Sequence, residues 1–400
     1  MVRVRPFEVE QWMDKYENTP DILNVAETCC SSVSVDDLYE LSQDGQGPRP
    51  LQTTAKLTYG SIRGSSALRE RVASLCHGQD AEHTKLTAED VIITQGAIAA
   101  NFLVLYSLIG PGDHVVCVHP TYQQLYSVPE SLGAEVSLWR LREDKGYVPD
   151  VGELGSLVRK NTKMIIINNP NNPTGAVIPK SVLLDIAEFA RKRDLILLSD
   201  EVYRPLFHNG FDNNPDAPPS ATALGYGKTI VTGSMSKAFS LAGIRVGWVV
   251  SRDKAIVSAL AAARDYTTIS VSQLDDQLAS YALSPAVRGP LLDRNISLAR
   301  RNISMLDSFV RSHSSVCRWV QPVAGTTAFI QFLSGGKPVD DVAFCVDVLE
   351  KTKVFFCPGS RCFGQGQEFR GYVRVGYVCE TSVLSEALDR LHAYLQRTLS

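Results

Sequence analysis

The stretch GSMSKAFSLAGIRVG, residues 233–247, holds a single lysine, Lys237, among hydroxyl and glycine side chains, with Arg245 further along. Such small, uncharged neighbours are a poor setting for a surface lysine. Taking an ammonium out of water is costly, so a buried lysine calls for a chemical reason. Burial can also lower its pKa from ~10.4 and make a free amine available for covalent chemistry. By itself Lys237 reads equally as a snorkelling or salt-bridged residue at a strand end.

The segments around it decide between these readings. LRERVASL (68–75) is helical, VIIT (91–94) a short apolar strand, and Ala97 to Ile109 an apolar helix closed by Gly110-Pro111-Gly112. HVVCV (114–118), MIIIN (164–168), LILLSD (195–200), TIVTGS (229–234) and VGWVV (246–250) read as strands, with the helix SVLLDIAEFARKRD (181–194) among them. Continuous apolar strands between helices predict an α/β fold: a mostly parallel sheet with helices on both faces. Ligands of such sheets gather at the carboxyl ends of the strands. Leu292, Ile296, Ala299, Ile303, Leu306 and Val310 then mark the apolar stripe of a long helix. It leads into a smaller α+β domain with strands at TAFIQF (327–332) and YVRVGYV (372–378). The polar start of the chain ends in SQDGQGPRP (42–50), read as a connector. The expected division is a large domain over 46–285 and a small one from 1–45 with 286–400.

Composition excludes several classes. With 44% hydrophobic and 21% charged residues the chain is ordinary globular protein, and a net charge of −3 argues for neither nucleic acid nor membrane as partner. Nine cysteines without a C-x-x-C pair suit neither a disulfide scaffold nor a zinc site. They read as reduced thiols of a cytoplasmic protein, and no metal is expected. The N-terminus lacks the apolar core of a signal peptide, and no apolar run is long enough to span a bilayer. Asn295 and Asn302 open N-I-S sequons inside a helical pattern and are read as chance matches.

An aldehyde partner for Lys237 is pyridoxal 5'-phosphate, which presents a phosphate, a pyridine nitrogen, a phenolic oxygen and a flat ring. The sequence holds a candidate for each. ITQGAIAANF (93–102) runs from a strand into a helix, whose first N–H groups, Gly96, Ala97 and Ile98, can bind an anion. Ser234 and Arg245 add a hydroxyl and a guanidinium. In LILLSDEVY, Asp200 follows an apolar strand and suits the pyridine nitrogen, although it also suits a helix cap. Tyr203 and the Asn172 of NNPNNPTG (168–175) can donate to the phenolic oxygen. In HPTYQQLY (119–126), Tyr122 can stack on the ring.

These motifs together resemble the class I and II aminotransferases, which are fold-type I pyridoxal-phosphate enzymes, in the family's order from Tyr59 to Arg374. The resemblance implies that Lys237 carries the cofactor as a Schiff base and shuttles protons, with Asp200 and Tyr122 as further catalytic groups. Gly96, Ala97, Ile98, Asn172, Tyr203, Ser234, Ser236 and Arg245 would complete the cofactor site. Tyr59, in LTYGSIRG (57–64), matches a tyrosine that reaches the phosphate of a neighbouring subunit, so a homodimer with shared sites is implied. Arg374 matches the arginine that grips the substrate carboxylate, beside Asn172. The implied reaction moves an amino group from an L-amino acid to a 2-oxo acid.

One stretch departs from the family. ILNVAETCCSSVSVDDLYEL (22–41) holds no glycine where many members have a glycine turn. It is similar to a subgroup that contains capreomycidine synthase and other arginine-handling enzymes. Glu27 is therefore a candidate for binding a cationic substrate side chain. A cyclase, lyase or oxidase acting beyond the α-carbon stands as the alternative to transamination. A cofactor-binding half of a transcription regulator is a third class, but the leading residues are neither basic nor arranged as helix-turn-helix.

Overall fold

The computed structural model describes residues 4–42, 48–77, 85–208 and 217–399; most of the connector expected at 42–50 lies outside the described residues. Seven strands form the central sheet: β1 (Val91–Thr94), β2 (His114–His119), β3 (Glu135–Arg140), β4 (Thr162–Asn168), β5 (Ile196–Asp200), β6 (Thr229–Ser234) and β7 (Gly247–Ser251). Their spatial order is β1-β7-β6-β5-β4-β2-β3. Side chains alternate between the two faces of each strand. Ile93, Val116, Ile165, Leu197 and Val231 therefore enter one core, while Ile92, Val115, Ile166, Leu198 and Ile230 enter the other. Burial on both faces explains why these strands read as unbroken apolar runs.

Two features depart from the sequence reading. Strand β7 runs antiparallel to both neighbours, β1 and β6. Between β6 and β7 the chain forms only a short 3-10 turn, Ala242–Ile244, and not the α-helix that usually carries a chain back for a parallel return. The edge strand β3 escaped detection because most of its residues are partly exposed and polar residues interrupt it.

The functional positions follow from register. Asn168 pairs with Asp200, and Asp200 with Thr232, so three polar residues sit side by side at the carboxyl ends of β4, β5 and β6. Helix α1 (Glu8–Tyr16) buries Val9, Trp12 and Met13. Helix α2 (Gly96–Leu108) starts just beyond β1 and packs on β6 and β7. Helix α3 (Pro285–Ser312) is the long helix. Its buried stripe includes Asn295 and Asn302, whose amides donate to the carbonyls of Ala238 at 2.8 Å and Tyr377 at 2.8 Å. Both sequon asparagines are thus sealed from solvent.

Beyond α3, β8 (Thr327–Ser334) and β9 (Tyr372–Gly376) pair antiparallel within a five-stranded sheet, with Phe329 opposite Arg374. The N-terminal segment belongs with this part of the chain: Leu23–Asn24 pairs with Val354–Phe355. From there it crosses to the lysine, where the Cys30 N–H donates to the Lys237 carbonyl at 3.4 Å. Gly376 permits that crossing, since a side chain there would collide with the Glu27 carbonyl. All nine cysteines are free thiols, and only Cys29 and Cys379 are not fully buried.

Candidate active site

A cavity of about 670 Å³ opens at the strand ends, and every candidate residue except Gly96 and Tyr59 lines it. A larger groove of about 830 Å³ lies elsewhere, between Arg5 and Arg370, and contains none of them.

Asp200 forms part of the floor. One oxygen accepts from Asn101 Nδ2 at 2.9 Å, the other from the Val202 N–H at 3.1 Å. Asn101 in turn accepts from Thr232 Oγ1 at 2.7 Å, which fixes its orientation. Burial pushes the Asp200 carboxyl up to about 6 despite those hydrogen bonds. Among the described residues no cationic side chain forms a salt bridge with it. A buried carboxylate without a countercharge suits a cationic ring nitrogen.

An anion cradle lies at the start of α2. Gln95 makes no side-chain cap to this helix, so its first N–H groups are free of a capping partner. Gly96 adopts a left-handed φ of 77°, and a Cβ there would lie 2.8 Å from Arg245 Nη2. Gly247 presses from below: a Cβ there would lie 2.6 Å from Ala97 N. Arg245 Nη1 donates to Ser236 Oγ at 3.4 Å, and the Ser236 N–H to Ser234 Oγ at 3.2 Å. Two hydroxyls, a guanidinium and a helix start converge here, as a phosphate requires.

Lys237 projects between these two features, and its Nζ donates to Thr28 Oγ1 at 2.6 Å. Cys29 Sγ lies 3.3 Å away and Glu27 Oε1 3.4 Å away. The expected lowering of the lysine pKa is overturned. Burial lowers it, but the Cys29 sulfur, the Glu27 carboxylate and the Tyr203 oxygen outweigh burial and raise it. Cys29 is itself pushed up to about 11 by burial, so at neutral pH it is a thiol and Glu27 is the operative charge. Burial would raise Glu27, but Lys237 and donors from Cys29 and Thr28 bring it down to about 2. Glu27 thus borders the cavity, yet the cation it faces is Lys237, and its Oε1 also accepts from the Thr28 and Cys29 N–H groups at 2.5 and 2.9 Å.

Arg374 closes the opposite side. It is buried, and donates to the Ala26 carbonyl at 2.9 Å and to Asn172 Oδ1 at 3.4 Å, while its Nε has no partner among the described residues. Asn172 is held by its own N–H, which donates to Asn168 Oδ1 at 2.8 Å. Tyr203 is buried beside Lys237, and burial raises its pKa. Tyr122 borders the cavity and donates to Glu10 Oε1 at 3.0 Å. Tyr59 is 83% exposed and stands outside the cavity of its own chain. Sequence reasoning missed Asn101, Thr28, Cys29 and Glu10. Only Asn101 carried a signal, as the one amide within the apolar helix GAIAANFLVLYSL.

Residues 43–391 match the family of class I and II aminotransferases. Capreomycidine synthase of Streptomyces vinaceus is 30% identical over 299 residues, 74% of this chain and 72% of that protein. The crystal structure of a PLP-dependent aminotransferase from Streptococcus suis superposes with a TM-score of 0.87 at 37% identity, covering 99% of this chain and 98% of that one. The PLP-dependent cyclase OrfR superposes with a TM-score of 0.85 at 25% identity, covering 99% and 98%. The chain belongs to the class I and II aminotransferase family. It is an enzyme, and its cofactor is pyridoxal phosphate. The uncompensated Asp200 and the cradle around Gly96 fit that cofactor. No helix among the described residues is long and apolar enough to cross a membrane.

Proposed function

We propose that this enzyme transfers the amino group of an L-amino acid to a 2-oxo acid. The observation that carries the reading is the position of Lys237 within one cavity that Asp200 and Arg374 also line. When bound, pyridoxal phosphate supplies an aldehyde that condenses with amines and a ring that withdraws electrons from the α-carbon.

The residues divide the remaining work. Ser234, Ser236, Arg245 and the N–H groups of Gly96, Ala97 and Ile98 hold the phosphate. Asp200 keeps the ring nitrogen protonated, and the new ion pair relieves the strain of its burial. Asn101, locked by Thr232, keeps that carboxylate in place. Asn172 and Tyr203 donate to the phenolic oxygen, and Tyr122 covers the ring. Arg374, which lines the cavity, takes the substrate α-carboxylate. Lys237 would anchor the cofactor through its Nζ and, once displaced by the substrate amine, would hold the proton taken from the substrate α-carbon. To act as a base its Nζ must shed the proton that Glu27 favours. Thr28 Oγ1 accepts from Nζ at 2.6 Å and would orient the amine.

Exposed Tyr59 is assigned to a neighbouring subunit's phosphate, which makes the enzyme a homodimer with shared sites. The division into a large domain (46–285) and a small one (1–45 with 286–400) and a cytoplasmic location belong to the same reading.

A second reading, a cyclase, lyase or oxidase working at the β- or γ-carbon, is favoured by one observation. Thr28 and Cys29 stand over Lys237 where the family's glycine turn is missing. Mixing the holoenzyme with a panel of amino acids and no 2-oxo acid separates the two. Stoichiometric conversion of the cofactor spectrum, with turnover only after a 2-oxo acid is added, supports transamination. Sustained turnover without an acceptor overturns it in favour of the second reading.

A further inference from the structure

Glu27, Thr28 and Cys29 lie over Lys237, and the chain holds this segment from both sides. Upstream, the Ala26 and Glu27 N–H groups donate to Asn24 Oδ1 at 3.0 and 3.1 Å, and the Ala26 carbonyl accepts from Arg374 at 2.9 Å. Downstream, the Cys30 N–H donates to the Lys237 carbonyl itself at 3.4 Å. Gly376 leaves the space that the Glu27 carbonyl fills. The Glu27 carboxylate is clamped in turn, since its Oε1 accepts from the Thr28 N–H at 2.5 Å and the Cys29 N–H at 2.9 Å. That same oxygen lies 3.4 Å from Lys237 Nζ.

Glu27 is charged at neutral pH, and its neighbours around the nitrogen are not. Burial pushes the Cys29 thiol up to about 11 and raises Tyr203, so both stay protonated. Thr28 offers only a hydroxyl. The cavity's other charged groups are Asp200 at the end of β5, Arg245 before β7, Arg374 on β9, and Glu10, Asp14 and Glu17 from α1 and its cap. The two arginines oppose a positive charge on Nζ. Asp200 serves the ring nitrogen in the reading above, and Glu10 is engaged by the Tyr122 hydroxyl.

We infer that Glu27 is the fixed countercharge of the Lys237 nitrogen, keeping it protonated both as a free amine and while it carries the cofactor. This rests on the anchoring role proposed above for Lys237. A positive charge on that nitrogen leaves the attached cofactor carbon more open to a substrate amine. The inference gives Glu27 to the nitrogen in place of the cationic substrate side chain expected from the sequence.

Glu27→Gln removes the charge and keeps an oxygen for both N–H groups. The Glu27 side chain is 47% exposed, so the core does not depend on it, and near-UV circular dichroism confirms the fold. Holoenzyme without substrate is titrated across neutral and alkaline pH by cofactor absorbance, which changes when the linking nitrogen gains a proton. The midpoint is expected to fall by about one pH unit in the variant, a loss of about tenfold in proton affinity. Cys29→Ala removes a neutral neighbour and is expected to move the midpoint by less than about 0.3 unit. An unchanged midpoint in Glu27→Gln, or an equal fall in Cys29→Ala, overturns the inference. If borohydride fixes no label on Lys237 in wild type, the anchoring role falls instead. Acetylation of Lys237 by acetic anhydride in the cofactor-free protein, followed across pH by mass spectrometry, then decides the countercharge. A lower midpoint in Glu27→Gln supports it, and identical profiles overturn it.

Discussion

Asp200→Asn is expected to stabilise the cofactor-free protein while crippling the enzyme. The Asp200 carboxyl sits at about 6 because burial disfavours its charge, against an ordinary value of 3.8. Below pH 3.8 the group is protonated whether the chain is folded or not, and its charge costs nothing. Between the two values the folded state binds more protons, so stability falls as pH rises. Each tenfold change in proton affinity is worth about 1.4 kcal/mol, so above pH 6 the full cost is roughly 3 kcal/mol. Asparagine removes the charge and can still accept from the Val202 N–H. Its amide then confronts Asn101 Nδ2, and that mismatch costs about 1 kcal/mol. The net gain is about 2 kcal/mol, or roughly 2–3 °C in Tm for 400 residues. The assay is thermal unfolding of cofactor-free wild type and variant at pH 8 and pH 4.5. At pH 4.5 the charge cost in wild type falls to about 1 kcal/mol and the advantage disappears. A variant less stable than wild type at pH 8, or more stable by the same margin at both pH values, refutes the reasoning. Saturating pyridoxal phosphate reverses the order, because only the carboxylate can pair with a protonated ring nitrogen.

Three further outcomes are expected. Lys237→Ala abolishes borohydride labelling of the chain by pyridoxal phosphate and lowers turnover by at least about a thousandfold; label retained on another residue would exclude Lys237 as the anchor. Gly247→Ala forces a methyl group to within 2.6 Å of Ala97 N at the start of α2, and overpacking of this kind costs about 1–3 kcal/mol. It should weaken binding of the cofactor's phosphate by equilibrium dialysis, whereas Gly243→Ala, with nothing within 4 Å, should not. Tyr59→Ala changes unfolding by less than about 0.5 kcal/mol, since the ring is exposed, but lowers cofactor affinity. Sedimentation checks the dimer: a monomer that binds cofactor as well as wild type would refute the shared site.

Read alone, the amino-acid order determined the class of fold and the cofactor, and picked out most of the polar residues that line the cavity at the strand ends. Apolar runs broken by polar residues are local patterns, and Asn168, Asp200 and Ser234 each announce a strand end within a few residues of chain. Tertiary structure alone decided which strands adjoin, and so set Asn168, Asp200 and Thr232 side by side. It turned β7 antiparallel, and it brought Asn101 from a helix to the Asp200 carboxylate. It also carried Glu27, Thr28 and Cys29 over a lysine more than two hundred residues away, which raised a pKa expected to fall. No local pattern could show that charge beside the lysine, because electrostatics depends on distance through space and not along the chain.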